Sequence, residues 1–213
     1  MPSKQKGSPD KPRSAGPKIP KGWPQGLLYL HAPVYSKKLA VEAHNAVLLA
    51  SSDAPDAGQR SSACRPHTNV KITKIISPSH PADGQHGLFA SQPLAPDTLI
   101  LPYLGYVHDK NDTNPASDYD LSLDRDYGIG VDASEMGNEA RFINDYRGVS
   151  GAPNADFREI YVDSDNGRVE KRMGVFVLSA GKSGKRAKGI AKGEEILVSY
   201  GKGFWTEREK KQD

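Results

Sequence analysis

Short runs of alternating apolar and polar residues, separated by turns that contain glycine and proline, restrict the fold of this chain most strongly. They begin near Val70 and continue to Ser199, and after Ala50 the sequence contains no long apolar pattern with the helical period. Alternation with a period of two residues is typical of strands that bury one face. Many short strands at close spacing indicate a β-rich domain rather than an alternating α/β sheet. We therefore predict a mainly β fold of several small sheets.

Local signals predict how some of these strands are arranged. Asn166-Gly167 is a strong hairpin signal and predicts that the runs on either side of it pair with each other. Pro102 favours an edge position for its strand, because proline has no backbone N–H to donate. Apolar residues with helical spacing predict one N-terminal helix from Ser36 to about Ala50, which packs as a cap. The predicted strands comprise residues 70–76, 88–90, 99–103, 106–107, 119–123, 129–131, 157–162, 173–178 and 195–199.

Charge is distributed unevenly along the chain. The formal net charge is +3, but residues 1–22 contribute +5, which leaves −2 for the remainder. This Lys-, Pro- and Ser-rich start lacks the apolar residues needed to fold, so we predict a disordered basic tail over residues 1–22. The tail offers at most a weak nucleic-acid contact or a nuclear-localisation signal. The mildly acidic remainder favours a basic peptide as the binding partner.

Composition excludes several classes of protein. No apolar run approaches the length of a membrane-spanning helix and no signal-peptide core is present, so we predict an intracellular protein that makes no membrane contact. Cys64 is the only cysteine, which excludes an internal disulfide and a cysteine-rich zinc site and leads us to expect no metal. We interpret residues 23–66 as the N-terminal helix and a linker, residues 67–205 as the main domain, and residues 206–213 as a helical tail.

Two glycine-containing motifs carry most of the functional information. One lies within residues 137–146 and includes Arg141-Phe142-Ile143-Asn144; the other is Gly193-Glu194-Glu195-Ile196-Leu197-Val198-Ser199-Tyr200-Gly201. Each motif alone is compatible with an ordinary turn beside a strand. In this order, and preceded by residues 87–90 and 100–107, they resemble the SET-domain protein lysine methyltransferases.

The resemblance implies a SET-domain fold of the β-clip type with a pseudoknot-like C-terminal part. It also implies S-adenosyl-L-methionine as the cofactor and a protein lysine as the methyl acceptor. Tyr200 and Tyr103 are implied as the catalytic tyrosines. The implied cofactor-binding residues are His86, Gly87, Leu88, Arg141, Asn144, Asp145, Phe204 and Trp205.

This sequence departs from the family pattern at three places around the cofactor site. Gln85-His86-Gly87 stands where the family usually has Gly-x-Gly. Asp145 and Tyr146 replace the usual His-Ser. Many members also carry a zinc-binding cysteine cluster after the catalytic core, which one cysteine cannot build. Phe204 and Trp205 therefore either close the core or cover the adenine in place of that cluster.

The candidate residues of the substrate channel are Tyr103, Phe157, Tyr161 and Val198. In some SET enzymes an aromatic residue two positions before the catalytic tyrosine limits the number of methyl groups that are added. Val198 holds that position here and is not aromatic. Phe157, which follows Pro153-Asn154, is the alternative candidate, although an ordinary core phenylalanine and a role for Tyr161 remain open.

The motifs leave four functions open, and a nucleic-acid binder that would use the basic tail of residues 1–22 is one of them. A histone-tail lysine is the substrate that the charge distribution favours, and a lysine of another basic protein fits the same motifs. A catalytically silent SET-like binding module is the alternative of a different class. For a histone methyltransferase we expect a nuclear location, with the cytoplasm as the alternative.

Overall fold

Short strands account for most of the regular structure. The computed structural model describes residues 19–56, 60–61, 68–164, 167–182, 184, 186–201 and 204–205. The strands, in chain order, are β1 (Leu28–Tyr29), β2 (Val34–Tyr35), β3 (Leu48–Leu49), β4 (Val70–Lys74), β5 (His86–Ala90), β6 (Leu99–Tyr103), β7 (Tyr106–His108), β8 (Asp120–Asp124), β9 (Ile129–Asp132), β10 (Met136–Gly137), β11 (Asn144–Asp145), β12 (Ala155–Asp163), β13 (Val169–Val177) and β14 (Leu197–Val198). The helix α1 spans Val41–Val47, and a short 3-10 helix spans Glu139–Phe142. The prediction of a mainly β fold of small sheets is confirmed.

The hairpin of β12 and β13 is the centre of the largest sheet. Its two nine-residue strands pair along their whole length, from Ala155 opposite Val177 to Asp163 opposite Val169. The predicted hairpin is therefore present, although residues 165 and 166 of its turn lie outside the described residues. β13 also pairs with β3 and β6. Pro102 of β6 lies opposite Gly174 at this outer position, where its missing N–H breaks no ladder.

The remaining strands form small sheets around this hairpin. One sheet has the order β2-β7-β9-β8, and β4 pairs with β5 in an antiparallel ladder. Two further sheets have two strands each, β1 with β10 and β11 with β14. No helix in the described part of the chain is long and apolar enough to cross a membrane.

The strands of the N-terminal segment pair with strands of the main domain, so this segment is not a separate cap. β1 pairs with β10, β2 with β7 and β3 with β13, so residues 28–49 contribute to three sheets. Within the predicted disordered tail, residues 19–22 are also described, and Pro20 O accepts a hydrogen bond from Trp23 N. Trp23 in turn packs edge-on against Tyr29 and Phe142. The remaining tail, Cys64 and the predicted C-terminal helix at residues 206–213 lie outside the described residues.

The helix α1 is shorter than the sequence pattern predicts. Its first residue follows Ala40, whose backbone N donates to the Asp109 carboxylate rather than to a helical partner. At its other end, Leu48 and Leu49 leave the helix to pair with Glu170 and Val169. Tertiary pairing therefore overrides helical propensity at the helix end.

The segment from residue 190 to residue 198 passes between β5 and β11. On one side Ile196 N donates to Leu88 O at 2.8 Å, and on the other β14 pairs in parallel with β11. This crossing is the pseudoknot-like C-terminal part, and it brings the two glycine-containing motifs together. The predicted strand over residues 195–199 is reduced to β14, because the segment changes its pairing partner: Glu195 and Ile196 bond to β5, whereas Leu197 and Val198 pair with β11.

The core lies beneath this crossing and the hairpin. Its fully buried side chains include Val47, Leu88, Leu101, Val175 and Ile196. Burying one such aliphatic side chain stabilises a fold by roughly 1.5–3 kcal/mol. The two motifs are therefore anchored on the packed interior rather than on a surface loop.

Candidate active site

Two cavities of different size meet beside the crossing segment. The narrow cavity has a volume of about 90 Å³ and the wide cavity about 500 Å³. The residues that line both are Asp118, Tyr119, Arg141, Tyr200 and Phe204. A ligand in the wide cavity and a side chain in the narrow one would therefore meet at this shared wall.

Tyr200 is oriented at the junction by two hydrogen bonds. Its hydroxyl donates to Ile143 O at 2.7 Å, and its backbone N donates to Asp145 Oδ2 at 2.7 Å. Both partners belong to the first motif, so the crossing segment fixes the tyrosine against that motif. The ring also meets Phe204 edge-on, with centroids 4.8 Å apart.

Tyr103 lines the narrow cavity and not the wide one. Its hydroxyl donates to Tyr119 O at 2.7 Å, and its ring is perpendicular to that of Phe157 with centroids 5.9 Å apart. Burial raises the pKa of Tyr103 above its ordinary value, and the neighbouring Tyr200 acts in the same direction. Tyr103 is therefore a neutral hydrogen-bond donor at physiological pH.

Arg141 forms the wall between the two cavities. Its Nε donates to Ala133 O at 2.9 Å, and its guanidinium lies 4.3 Å from the centre of the Tyr119 ring. Its Nη2 also reaches Ser134 O, at 3.4 Å. Backbone carbonyls and an aromatic face thus hold Arg141 in place, and it contributes a flat cationic surface to both cavities.

Asp145 connects the first motif to the end of the described chain. Its Oδ2 accepts from Tyr200 N at 2.7 Å and from Trp205 Nε1 at 3.4 Å, while Oδ1 accepts from Arg147 N at 2.9 Å. The Arg147 guanidinium also lies over the Trp205 ring. An aspartate at this position thus ties an aromatic wall of the wide cavity to the segment that carries Tyr200.

Phe204 and Trp205 lie in a helical turn and line the wide cavity. Their rings meet edge-on with centroids 5.4 Å apart. Both are only partly buried, so they form a cavity wall rather than part of the closed core. This placement is the one expected if they cover a flat ligand group.

Asn144 belongs to a buried polar chain that the sequence did not reveal. Asn144 Nδ2 donates to Glu195 Oε1 at 2.8 Å, and Glu195 Oε2 is 3.0 Å from His80 Nε2. His80 comes from the turn before β5, 115 positions from Glu195. Asn144, His80 and His86 all line the wide cavity. The sequence motifs contain Asn144 and Glu195, but nothing in the sequence indicated that His80 would join them.

Gly87 lies against the Glu195–Asn144 pair. A Cβ at this position would lie 2.5 Å from Glu195 Oε1 and 3.2 Å from Asn144 Nδ2. The missing side chain therefore makes room for the Glu195–Asn144 contact, and Gly87 does not itself line either cavity.

Three other predicted site residues do not reach the cavities. Leu88 and Val198 are fully buried in the core, where their backbones take part in the crossing. Tyr161 lies four residues beyond Phe157 along β12, a distance of about 13 Å in a strand. Lys171, which lies opposite Tyr161 on β13, forms ion pairs with Asp124 and Glu159. Phe157 and Tyr103 thus line the narrow cavity, whereas Tyr161 and Val198 are not among its lining residues.

The sequence also missed much of the narrow cavity's wall. Asp118, Tyr119, Asp120 and Leu121 line it at the start of β8. They carry no motif, and only the fold brings this segment to Tyr200. Within the described part of the chain, no group of three or more His, Cys, Asp or Glu side chains is arranged to hold a metal ion.

Comparisons with known proteins agree with the motifs. Residues 85–201, more than half of the chain, match the SET domain family. No curated protein matches the chain by sequence.

Several solved structures resemble part of the chain. A crystal structure of the Chaetomium thermophilum polycomb repressive complex 2 has 26% identity over 63% of this chain, with a TM-score of 0.46. An active polycomb repressive complex 2 in the basal state has 27% identity over 62%, with a TM-score of 0.45. ctPRC2 in an autoinhibited conformation bound to S-adenosylmethionine has 23% identity over 67%, with a TM-score of 0.46. The present chain covers only 15%, 15% and 17% of those chains, respectively.

Proposed function

The chain belongs to the SET-domain family, and from that premise we propose that it is a protein-lysine N-methyltransferase that uses S-adenosyl-L-methionine. The observation that carries the proposal is the junction of a narrow and a wide cavity at Tyr200. A methyltransferase needs two such compartments, since the methyl donor and the acceptor must approach one point from different sides. A silent binding module has no need of this geometry.

The wide cavity fits the proposed cofactor in size and in chemistry. Ligand pockets of roughly 300–1,000 Å³ are typical for small molecules, and this cavity has about 500 Å³. Phe204 and Trp205 offer an aromatic wall for the adenine, and Asn144 and His86 offer polar contacts near the turn before β5. When bound there, S-adenosylmethionine would supply a methyl group on a sulfonium for in-line transfer to a neutral lysine amine, leaving S-adenosylhomocysteine.

The narrow cavity suits the side chain of a lysine. Tyr103 and Phe157 form apolar and aromatic walls around the aliphatic stem, and Tyr200 lies at the end that meets the wide cavity. We assign to Tyr200 the orientation of the amine on the axis of transfer. A free lysine has a pKa of about 10.4, so the amine must lose its proton to water before the reaction. Exclusion of bulk water from the narrow cavity favours the uncharged amine.

A basic protein segment is the substrate class that the charges favour. Asp118 and Asp120 line the narrow cavity, and the chain outside residues 1–22 carries a formal charge of −2. Complementary charge increases the rate at which a cationic peptide reaches such a site. We propose a histone tail as the substrate and the nucleus as the place of action. Lysines of other basic proteins are the alternative.

An array of lysine-containing peptides, incubated with methyl-labelled S-adenosylmethionine, tests this function. We expect label on a subset of basic peptides and none on copies in which the lysine is replaced by arginine. Label on histone-tail peptides supports the chromatin substrate, and label on other basic peptides alone supports the non-histone alternative. Cofactor binding without label on any peptide or intact basic protein would identify a silent binding module instead.

A further inference from the structure

His80 is a largely buried histidine to which the proposed reaction assigns no role. Its side chain is only 10% exposed, and it lies in the turn between β4 and β5. The ring nitrogen Nδ1 is 3.0 Å from Ala82 N, a backbone donor. Nδ1 must therefore accept, and in a neutral imidazole the proton then resides on Nε2. Nε2 in turn donates to Glu195 Oε2 at 3.0 Å.

Glu195, whose carboxylate accepts from His80, also fixes the orientation of the Asn144 side chain. Its side chain is 9% exposed, and its second oxygen, Oε1, lies 2.8 Å from Asn144 Nδ2. Because the carboxylate only accepts here, the amide group of Asn144 must turn its nitrogen towards Glu195. His86 O, at 3.4 Å, is a second acceptor on the same side. The carbonyl oxygen of the Asn144 amide therefore faces the opposite way.

The arrangement depends on close packing around the carboxylate. A Cβ on Gly87 would lie 2.5 Å from Glu195 Oε1, so only glycine permits this contact. Asn144 and His80 both line the wide cavity, whereas Glu195 lies behind them. A substitution at His80 or Glu195 can thus alter the binding of a ligand by altering the orientation of Asn144.

We propose that His80 is a positioning residue that acts through Glu195 to hold the Asn144 carbonyl oxygen ready to accept a hydrogen bond from the α-ammonium of the cofactor. The inference rests on the proposed use of S-adenosylmethionine. An amide that is free to rotate presents its nitrogen to the ligand part of the time, and that nitrogen repels an ammonium. The His80–Glu195 pair prevents this rotation.

Two probes separate positioning from general support of the cavity. One is S-adenosylhomocysteine, and the other is the same thioether with its α-amino group replaced by hydrogen. Binding of each is measured by calorimetry to the wild type, His80→Leu and His80→Gln. Leucine removes the donor to Glu195, whereas the amide of glutamine retains a donor near the position of Nε2. His31→Leu, which removes an exposed histidine that does not line the wide cavity, is the control.

We expect His80→Leu to bind S-adenosylhomocysteine about tenfold more weakly, since a hydrogen bond to a charged group is lost or misdirected. Its affinity for the analogue without the amino group should remain within about twofold of that of the wild type. His80→Gln should recover most of the loss, and His31→Leu should behave as wild type. In steady-state assays His80→Leu should raise KM for S-adenosylmethionine more than it lowers kcat.

Equal losses for both probes, or no loss for either, would overturn the positioning role. Should His80→Leu not fold, as judged by circular dichroism, Glu195→Gln provides the same test. A glutamine offers one acceptor oxygen and cannot accept from both His80 and Asn144, so the same selective loss is expected. A wild type that binds neither probe would instead contradict the proposed function itself, and the two failures are therefore distinguishable.

Discussion

Tyr200 is bound at its hydroxyl and at its backbone to the first motif, so its position is set independently of any ligand. The hydroxyl donates to Ile143 O and the backbone N to Asp145 Oδ2. We expect Tyr200→Phe to lower kcat by about a hundredfold or more, the effect of losing one oriented group in the transition state. The dissociation constant for S-adenosylhomocysteine should change much less. Single-turnover kinetics and calorimetry check the two quantities.

A matched control for this variant is Tyr106→Phe. Its hydroxyl donates to Asp112, and Tyr106 lines neither cavity. Activity should therefore persist in Tyr106→Phe. Near-full activity in Tyr200→Phe would show that the reaction centre lies elsewhere.

Phe157 lies against Tyr103 in the narrow cavity and is the candidate that limits the number of methyl groups added. A phenylalanine offers no hydrogen bond to a water molecule beside the amine, so that water can leave and make room for another methyl group. We expect di- or trimethyl-lysine from the wild type and mainly monomethyl-lysine from Phe157→Tyr. Mass spectrometry of a methylated peptide measures the distribution. Identical distributions from the two proteins would exclude this role.

At the residue scale, the sequence predicted the parts of the site that lie inside motifs. Tyr200 and Asn144 were implied by the resemblance of their motifs to the family, and both line the wide cavity. The contact of His80 with Glu195 was not predictable, because it joins positions 115 residues apart and neither belongs to a recognisable pair. Tyr161 was predicted as a candidate residue of the substrate channel, but it does not line the narrow cavity. Spacing along a strand does not show which residues lie beside a cavity.

At the scale of elements, His108 of β7 joins the strand β8 by an ion pair. Its Nε2 is 3.1 Å from Asp120 Oδ1, and its Nδ1 is 3.1 Å from Asp109 O. The hydrogen bond to Asp120 raises the pKa of His108 above its ordinary value, against the opposing effect of burial. Because the pKa of His108 is higher in the folded state, protonation of His108 stabilises the fold. This stabilisation is fully present below the pKa of about 6.5 that a histidine has in the unfolded chain. That stabilisation is lost as the pH rises through the folded value.

This linkage predicts a pH-dependent stability that His108→Gln should flatten. The free energy of unfolding of the wild type should decline between about pH 6 and about pH 8 as His108 loses its proton. Glutamine has no proton to lose in this range, yet its amide can still donate to Asp120. Chemical denaturation at the two pH values measures the difference. The same decline in both proteins would show that another group is responsible.

The elements themselves were predictable where the pattern was long enough. The β12–β13 hairpin followed from Asn166-Gly167 and two alternating runs. The strands β1, β2 and β3 were missed because two residues carry no periodicity. The helix was predicted too long, since Leu48 and Leu49 are as apolar as a helical face requires but pair with β13. The last predicted strand was also too long, because its residues change partner from β5 to β11.

At the scale of the whole molecule, the wide cavity is closed by aromatic and charged side chains. Trp205 bonds to Asp145 and lies under Arg147, while Phe204 packs on Tyr200. The chain has one cysteine, too few for the cluster that many family members use at this place. We expect a strong chelator to leave cofactor binding and turnover unchanged. Activity that is lost with the chelator and restored by zinc would contradict this prediction.

The central claim is that one donor and one lysine meet at the junction of the two cavities. The most direct measurement quantifies S-adenosylhomocysteine and methylated lysine together while the enzyme acts on a basic peptide. We expect one S-adenosylhomocysteine for each methyl group on the lysine, and neither product with the arginine version of the peptide or in the absence of S-adenosylmethionine. Formation of S-adenosylhomocysteine without methyl-lysine, or methyl groups on another residue type, would contradict it.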